Sequence, residues 1–344
     1  MDKEGAVDIP RLEDWMDAQG LDRGAVTGLI ALSGGTQNLI LRFERGGRAF
    51  VLRRPPLSPR TESNDTMRRE ARVLRALANT DVPHPRLIAA CSDEEVLGAA
   101  FYLMEPVDGF NATSGLPTLH AGNADIRREM GFALVDGAAA LARVDYKAVG
   151  LEGFGRPDNY LKRQVGRWRS QLDGYARYEG WPGRAALPHV ERIADYLDAN
   201  QPPEFRAGIM HGDYSLGNVM FRNDSPGLAA IIDWELCTVG DPLLDLGLLM
   251  ANWPGVPPGD LPVLIVDPWD GFPTIDELVA HYAASSDRNM DSITWYAVLA
   301  AYKQAIILEG SFARACAGLD PMPVGLKLHE TSTALLRRAL WRIA

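Results

Sequence analysis

Long apolar runs are missing from this chain. The longest candidates, "LPVLIV" at 261–266 and "AIIL" at 305–308, are the length of a core segment, far short of the ~18 residues that a membrane span requires. The opening stretch, "MDKEGAVDIPRLEDWMD", is acidic and has no apolar core of a secretion signal. A cytoplasmic protein without a membrane partner is therefore expected. Cysteine is scarce: Cys91, Cys237 and Cys316 are the three present, far apart in sequence. That count argues against a disulfide framework and offers no metal-site spacing, so buried or half-buried thiols in a reducing compartment are expected. The six histidines are scattered. Positive charge is in deficit, 35 Lys and Arg against 45 Asp and Glu for a net charge of −10. Nucleic-acid binding needs a basic face, so no nucleic-acid partner is expected. Neither an internal repeat nor a low-complexity tract is visible.

What remains is an ordinary globular composition, 47% hydrophobic and 23% charged over 344 residues, enough for a large core shared between two lobes. A short helix at 11–20 precedes "NLILRFE" and "RAFVLRR", two apolar-rich runs that read as a hairpin turning at Arg45-Gly46-Gly47. "SNDTMRREARVLRALANT" places Met67, Ala71, Leu74 and Leu77 three or four apart, which predicts an amphipathic helix with N-cap candidates at Ser63 to Asp65. "VPHPRLIAACSD" and "GAAFYLMEPVDGF" read as two more strands. Beyond about residue 110 helical periods dominate, including one helix over "PDNYLKRQVGRWRSQLDGYARYEG". A hairpin, "NVMFRN" to "LAAIIDWEL", interrupts them. The expected architecture is α+β and bilobal: a β-rich antiparallel N-terminal lobe with one main helix at 1–105, and a larger, mostly helical lobe at 106–344.

Four elements would meet at the junction of the lobes. In "LSGGTQN", Gly34 and Gly35 can bring backbone N–H groups against a polyphosphate, with Ser33 and Thr36 adding hydroxyls. Gly-Gly between strands is more often a plain turn, so this element alone does not mark a phosphate site. Arg53 ends an apolar strand, where a cation is costly without partners, and Glu70 on the following helix can pair with it. Two surface charges are the other reading. "HGDYSLGN" holds His211, Asp213 and Asn218 in one loop between buried flanks. Asp213 can accept a proton from an attacking hydroxyl, and Asn218 can offer its amide oxygen to Mg²⁺. Asp233, in "IIDWE", ends a β-run that returns to the edge of Asn218. A carboxylate there suits Mg²⁺, or serves as a structural acceptor.

That order of motifs resembles the aminoglycoside phosphotransferase and choline kinase-like family, a branch of the protein-kinase-like fold. His211-Gly212-Asp213 with Asn218 matches the kinase catalytic loop, and Asp233-Trp234-Glu235 stands where Asp-Phe-Gly would be. The resemblance implies an ATP-binding N-terminal lobe, with Asp213 as the base and Asn218 and Asp233 as Mg²⁺ ligands. It implies that His211 organises the loop and that Asp245 buttresses it. In "YLMEPVDG" the Glu105 carbonyl and Val107 N–H would grip the adenine. Asp241 is expected to cap the helix beginning at Pro242. Two departures stand out. The strand cation is Arg53 or Arg54 where kinases have Lys. Only seven residues separate Asp233 from Asp241, which leaves no room for a long activation segment and disfavours a protein kinase.

The acceptor is then a small-molecule hydroxyl. Arg156, Lys162, Arg163, Arg167, Arg169 and Arg177 load one helix with positive charge, which hints at an anionic acceptor or marks a solvated face. "FVLRRPP", "YLKRQVGRW" and "WYAVLAAYKQAIILEG" look most like the phosphotransferase domains associated with acyl-CoA dehydrogenases, which implies a hydroxyacyl-CoA or other acidic hydroxyl substrate. An aminoglycoside-type antibiotic phosphotransferase and a nucleotide-binding pseudoenzyme are the alternatives. The segment 253–273, rich in proline, is expected to rim the acceptor site. Oligomeric state has no signature here.

Overall fold

The computed structural model describes residues 7–32, 38–56, 62–255 and 265–344. Alternation builds its first layer. Helix α1 (Ile9–Ala18) precedes β1 (Thr27–Ala31), β2 (Leu39–Arg45) and β3 (Arg48–Arg54). Leu39, Leu41, Phe43 and Arg45 are the buried positions of β2, every second residue of the strand. Gly46 and Gly47, both at positive φ, make the two-residue turn into β3 that a hairpin favours. After α2 (Ser63–Leu77) come β4 (Leu87–Cys91), a one-turn α3 (Glu94–Leu97) and β5 (Phe101–Met104). The five strands pair antiparallel throughout, in the order β1-β2-β3-β5-β4.

The sheet separates two apolar clusters. On one side, Leu12 and Met16 of α1 meet Leu41, Phe43, Phe50, Leu52, Phe101 and Leu103. Arg45 locks α1 there, donating to the Gly24 carbonyl (2.8 Å) and to Asp17 Oδ1 (2.6 Å). On the other side, α2 buries Met67, Glu70, Ala71, Leu74 and Leu77 in a cluster that runs on into the helical lobe. The expected N-cap is displaced. Helix α2 starts after Glu62 with no side-chain cap, because Asn64 accepts the Ala100 N–H instead (3.0 Å).

The larger lobe begins with α4 (Thr118–Ala121) and α5 (Ala124–Arg143), capped by Asn123. The helix read over 157–180 is broken in three. A 3₁₀ turn at Leu161–Arg163 leads into α6 (Gln164–Asp173), and a second follows at Gly174–Arg177. Gly174 weakens helix continuation, and the tighter turn lets the Tyr175 hydroxyl reach the Ile306 carbonyl (3.0 Å). Helix α7 (Val190–Ala199) precedes four short strands, β6 (Gly208–Met210), β7 (Val219–Phe221), β8 (Leu228–Ile231) and β9 (Thr238–Gly240). Strand β6 pairs with β9 and β7 with β8. Then come α8 (Leu243–Asn252), α9 (Ile275–Ser285), α10 (Ile293–Cys316) and α11 (Met322–Arg342). Helix α10 is apolar nearly all round and is buried as the centre of the lobe. It approaches α8 closely at Gly247, where a Cβ would lie 2.6 Å from the Tyr296 backbone. The result is the expected α+β bilobal arrangement. Among the described residues no helix is long and apolar enough to cross a membrane.

Candidate active site

Two short sheets bring the motifs together. Strand β6 feeds the loop 211–218, β7 leaves it, and the β7–β8 hairpin returns the chain beside its start: Val219 pairs with Ile231, and the Ile232 N–H donates to the Asn218 carbonyl (2.9 Å). Asp233 follows at once, with φ +65°, an uncommon left-handed conformation for a residue with a Cβ. That turn directs the chain away from β8 and leaves the Asp233 side chain 38% exposed. Asn218 and Asp233 therefore share one edge.

Inside the loop, Asn218 Nδ2 donates to Asp213 Oδ2 (2.7 Å) and to the Asp213 carbonyl (2.8 Å). One Asp213 carboxylate oxygen is thus held by Asn218, and the amide nitrogen is committed, leaving Asn218 Oδ1 as the oxygen available to a cation. His211 braces the loop. Its Nε2 is 2.8 Å from the Ile232 carbonyl, and its Nδ1 accepts the Asp213 N–H (3.3 Å). Asp245 accepts the N–H groups of His211 (2.6 Å) and Gly212 (2.8 Å) from below, and burial raises its pKa, partly offset by His211 and those two N–H groups. Asp241 Oδ1 accepts the Leu243 N–H (3.1 Å) at the start of α8.

Asn111 is a member that the sequence did not reveal. Its Nδ2 lies within 2.8–3.2 Å of the Leu216, Gly217 and Val219 carbonyls. Beside it, Phe110 and Phe221 exchange main-chain hydrogen bonds, and the Gly109 Cα lies so close that a Cβ would sit 2.4 Å from the Phe221 carbonyl oxygen. The segment leaving the sheet is thereby fastened to the loop.

On the N-terminal side, the two candidate arginines separate cleanly. Arg54 turns to the carbonyls of Leu97 (2.9 Å) and Pro55 (3.3 Å). Arg53 pairs with Glu70 (3.1 Å) and with Asp233 Oδ1 (2.7 Å). Glu70 also accepts the Tyr102 hydroxyl (2.8 Å). Burial pushes the Glu70 carboxyl up to about 7 despite Arg53 and Tyr102. Burial alone would lower the Arg53 pKa, but Glu70, Tyr102 and Asp233 together raise it. The arginine stays charged, and the glutamate is the adjustable member. Glu105 binds the Arg86 carbonyl through its N–H (2.9 Å) and Arg48 through its carboxylate (3.0 Å). Its carbonyl and the Val107 N–H make no main-chain hydrogen bond outside strands among the described residues. Ser33, Gly34, Gly35 and Thr36 lie outside the described residues.

The donor set facing the loop is oxygen only, Asn218 Oδ1 and the Asp233 carboxylate. Hard-oxygen ligands of this kind fit Mg²⁺, which is usually held by one or two side chains together with water and substrate phosphates. Among the described residues no cluster of three or more His, Cys, Asp or Glu could hold a metal alone, so phosphate oxygens would complete the shell.

Behind Gly212 lies a cavity of ≈ 110 Å³ between α6, α8 and α10. Leu244, Leu248, Leu299 and Ile307 give it apolar walls, Arg167 and Lys303 line it, and among the described residues no acidic side chain does. Lys303 Nζ donates to the Gly212 carbonyl (2.8 Å). Burial lowers its pKa, opposed by Asp213 and Asp245. The basic helix contributes less than its sequence implies. Arg169 is spent on Asp195 (2.8 Å) and Asp198 (2.6 Å) of α7, and Arg163 donates to the Arg156 carbonyl (2.6 Å). Of the six cations on that stretch, Arg167 alone lines the cavity. The described part of 253–273 does not line it either: Trp269 stacks on Phe272 (4.5 Å), and Asp270 pairs with Arg127 of α5 (2.8 Å).

Residues 28–276, most of the chain, match the family model described as the phosphotransferase enzyme family, APH. The chain belongs to this family. Its members' bilobal, kinase-like frame is seen again in solved structures. One from Ralstonia eutropha, assigned to the aminoglycoside phosphotransferases, is 28% identical with a TM-score of 0.77, covering 97% of this chain and 98% of its own. An aminoglycoside phosphotransferase APH(4)-Ia solved with ADP and hygromycin B shares the fold at 16% identity, TM-score 0.57, over 95% of this chain and 98% of its own. Among curated proteins, acyl-CoA dehydrogenase family member 11 of Gallus gallus is 30% identical over 82% of this chain and 36% of its own length. Family member 10 of Mus musculus is 29% identical over 84% of this chain and 27% of its own. This phosphotransferase-family chain therefore spans about a third of those two relatives.

Proposed function

We propose that this chain is a cytoplasmic, Mg²⁺- and ATP-dependent O-phosphotransferase acting on the hydroxyl of a small molecule of acyl or anionic character. The observation that carries the reading is Asp213: one carboxylate oxygen is fixed by Asn218, and the loop's backbone is tied down by Asp245. Held so, Asp213 orients the acceptor hydroxyl and takes its proton as the oxygen attacks the γ-phosphorus. The new P–O bond forms as the bond from γ-phosphorus to the bridging oxygen breaks, and ADP leaves with that electron pair. Arg53, released from Asp233 as nucleotide enters, offers a planar guanidinium to phosphate oxygens while Glu70 keeps it aimed. Asn218 and Asp233 would hold Mg²⁺, which neutralises phosphate charge when bound. Catalysis is then positioning and charge neutralisation, with no covalent enzyme intermediate.

Two observations favour an acyl or anionic acceptor over a polycationic one. The cavity beside the loop has apolar and cationic lining and, among the described residues, no carboxylate, and the curated relatives carry acyl-CoA dehydrogenase names. The aminoglycoside reading draws on the names of the solved neighbours. Mg-ATP-dependent ADP release across hydroxyacyl-CoA thioesters, aminoglycosides, choline, homoserine and sugars decides between them, with Asp213→Ala as the blank. Turnover of the thioesters alone is expected. Turnover of aminoglycosides alone would favour the antibiotic-modifying reading, and silence with ATP still bound would favour a pseudoenzyme.

A further inference from the structure

Lys303 has no counterpart in the motif set that points to phosphoryl transfer, yet it touches the loop that carries Asp213. It projects from the centre of α10, a helix buried on nearly every side, where a cation requires a reason. Its ammonium has three N–H donors, and one goes to the Gly212 carbonyl. Among the described residues no carboxylate lies within ion-pair distance of it. The two nearest acids are engaged: Asp245 spends both oxygens on the His211 and Gly212 N–H groups, and Asp213 holds Asn218. Lys303 Nζ also lies 5.9 Å from the centre of the Trp168 ring, and the rest of the surroundings is the cavity, with Leu244, Leu248, Leu299 and Ile307 on its walls and Arg167 on its lining.

We propose that this cavity is the acceptor subsite and that Lys303 is its specificity-determining residue, donating to the carbonyl or carboxylate oxygen of a hydroxyacyl acceptor whose short apolar segment lies against α8 and α10. The proposal rests on the phosphotransferase reading and narrows its acceptor. Three features fit together. An ammonium and a guanidinium on the lining of a cavity whose other walls are largely apolar call for an oxygen acceptor at one end and hydrocarbon elsewhere. The ≈ 110 Å³ of space suits a short chain, since an engineered apolar cavity of about 150 Å³ accommodates benzene. Gly212, which Lys303 binds, directly precedes Asp213 in the chain, so an oxygen held at Nζ sits one residue from the base and the hydroxyl needs only a few bonds to reach it.

The test compares hydroxyacyl pantetheine thioesters of four to six carbons with diols of equal length, which lack the carbonyl. Wild type, Lys303→Met and Ile307→Trp are measured for turnover, and thioester and nucleotide binding are followed by calorimetry. Met keeps the length and apolar stem of Lys but donates nothing. Ile307 is partly exposed at the cavity, so a larger ring there tests occupancy without disturbing the core. The expected result is a preference for thioester over diol of at least about tenfold in wild type, because a site built to hydrogen-bond a substrate rejects the analogue lacking that group. Lys303→Met should erase that preference through a raised acceptor KM, with nucleotide Kd unchanged. Ile307→Trp should weaken the longer thioesters most. Equal effects of Lys303→Met on thioester, diol and nucleotide would overturn the proposal and leave Lys303 as a brace for Gly212. Turnover of aminoglycosides alone would also overturn it while sparing the phosphotransferase reading. Lys303-dependent thioester binding without any turnover would do the reverse.

Discussion

Arg53 and Lys303 are both long cations removed from water on either side of the 211–218 loop, and the protein treats them differently. Arg53 is given two carboxylates before any ligand arrives, Glu70 behind it and Asp233 in front. Lys303 is given, among the described residues, only neutral partners, the Gly212 carbonyl and the face of the Trp168 ring. A doubly paired guanidinium is a finished structure that must be reopened, so its ligand has to compete with Asp233. Polyphosphate, carrying several charges and a metal, is the kind of ligand that can. An ammonium on one carbonyl keeps most of its capacity for a weakly charged or neutral oxygen. The two clusters thus differ in what they demand of an incoming molecule, high charge on one side and a single well-placed acceptor on the other.

Breaking the element shared by both sides should have the largest effect. Asp213→Asn is expected to lower kcat by about 10³-fold, the range of a lost general base, with nucleotide binding retained by calorimetry. If transfer persists within tenfold of wild type, the base lies elsewhere. Next, Arg53→Met strips Glu70 and Asp233 of their shared cation. Removing one partner of a buried pair costs about 3–5 kcal/mol, so thermal stability should drop and nucleotide Kd rise together, while the acceptor KM holds. Arg53→Lys should restore much of the stability but not the affinity, because a point charge does not replace a planar fork. Gly212→Ala tests the joint between the clusters. With φ +85° and a Cβ only 2.5 Å from the Leu236 carbonyl oxygen, it should cost about 2 kcal/mol or more and depress turnover of every acceptor alike.

A smaller effect belongs to Glu70. Its folded-state pKa, about 7, lies above the ordinary 4.5, so between those values the folded protein keeps a proton that the unfolded chain has lost. Stability should therefore fall as pH rises from about 4.5 to 7 and level off above. Glu70→Gln should flatten that slope in melting curves taken across this range, and an unchanged slope would assign it to other groups. Smallest of all, Arg169→Ala should alter acceptor KM less than about twofold and stability by no more than about 1 kcal/mol, as exposed ion pairs do. That null result would sharpen the contrast with Lys303, 134 residues further along the chain yet equally basic on paper.

The difference between those two basic residues shows what the sequence could carry. That His211, Asp213, Asn218 and Asp233 lie together was legible because their grouping is local: five residues span the loop, and a hairpin returns Asp233 to it. The α/β order of the N-terminal lobe was legible for the same reason, since alternation in β2 and the three-four spacing in α2 are short-range patterns. Lys303 and Asn111 act on the loop from 91 and 105–108 residues away, and each sits in a stretch whose pattern is that of any helix or turn. The six cations of 156–177 look alike in sequence. Only the packing of α7 decides that Arg169 is consumed by Asp195 and Asp198 while Arg167 reaches the cavity. The displaced cap of α2 has the same cause, a partner at Ala100 that no local rule supplies.

Gly212 has little freedom left. Its N–H belongs to Asp245 of α8, its carbonyl to Lys303 of α10, and its α-carbon lies under Leu236. The two peptide planes that meet at Gly212 are therefore a common reference for two helices and a turn, and Asp213 hangs from the second. A molecule wedged between α8 and α10 against Lys303 would press on the second plane, the one that carries Asp213. If the cavity takes the acceptor as proposed, its occupancy and the alignment of Asp213 would be coupled, so a poor occupant would cost rate as well as affinity. The enzyme would discriminate by how well its acceptor sets the angle of one glycine.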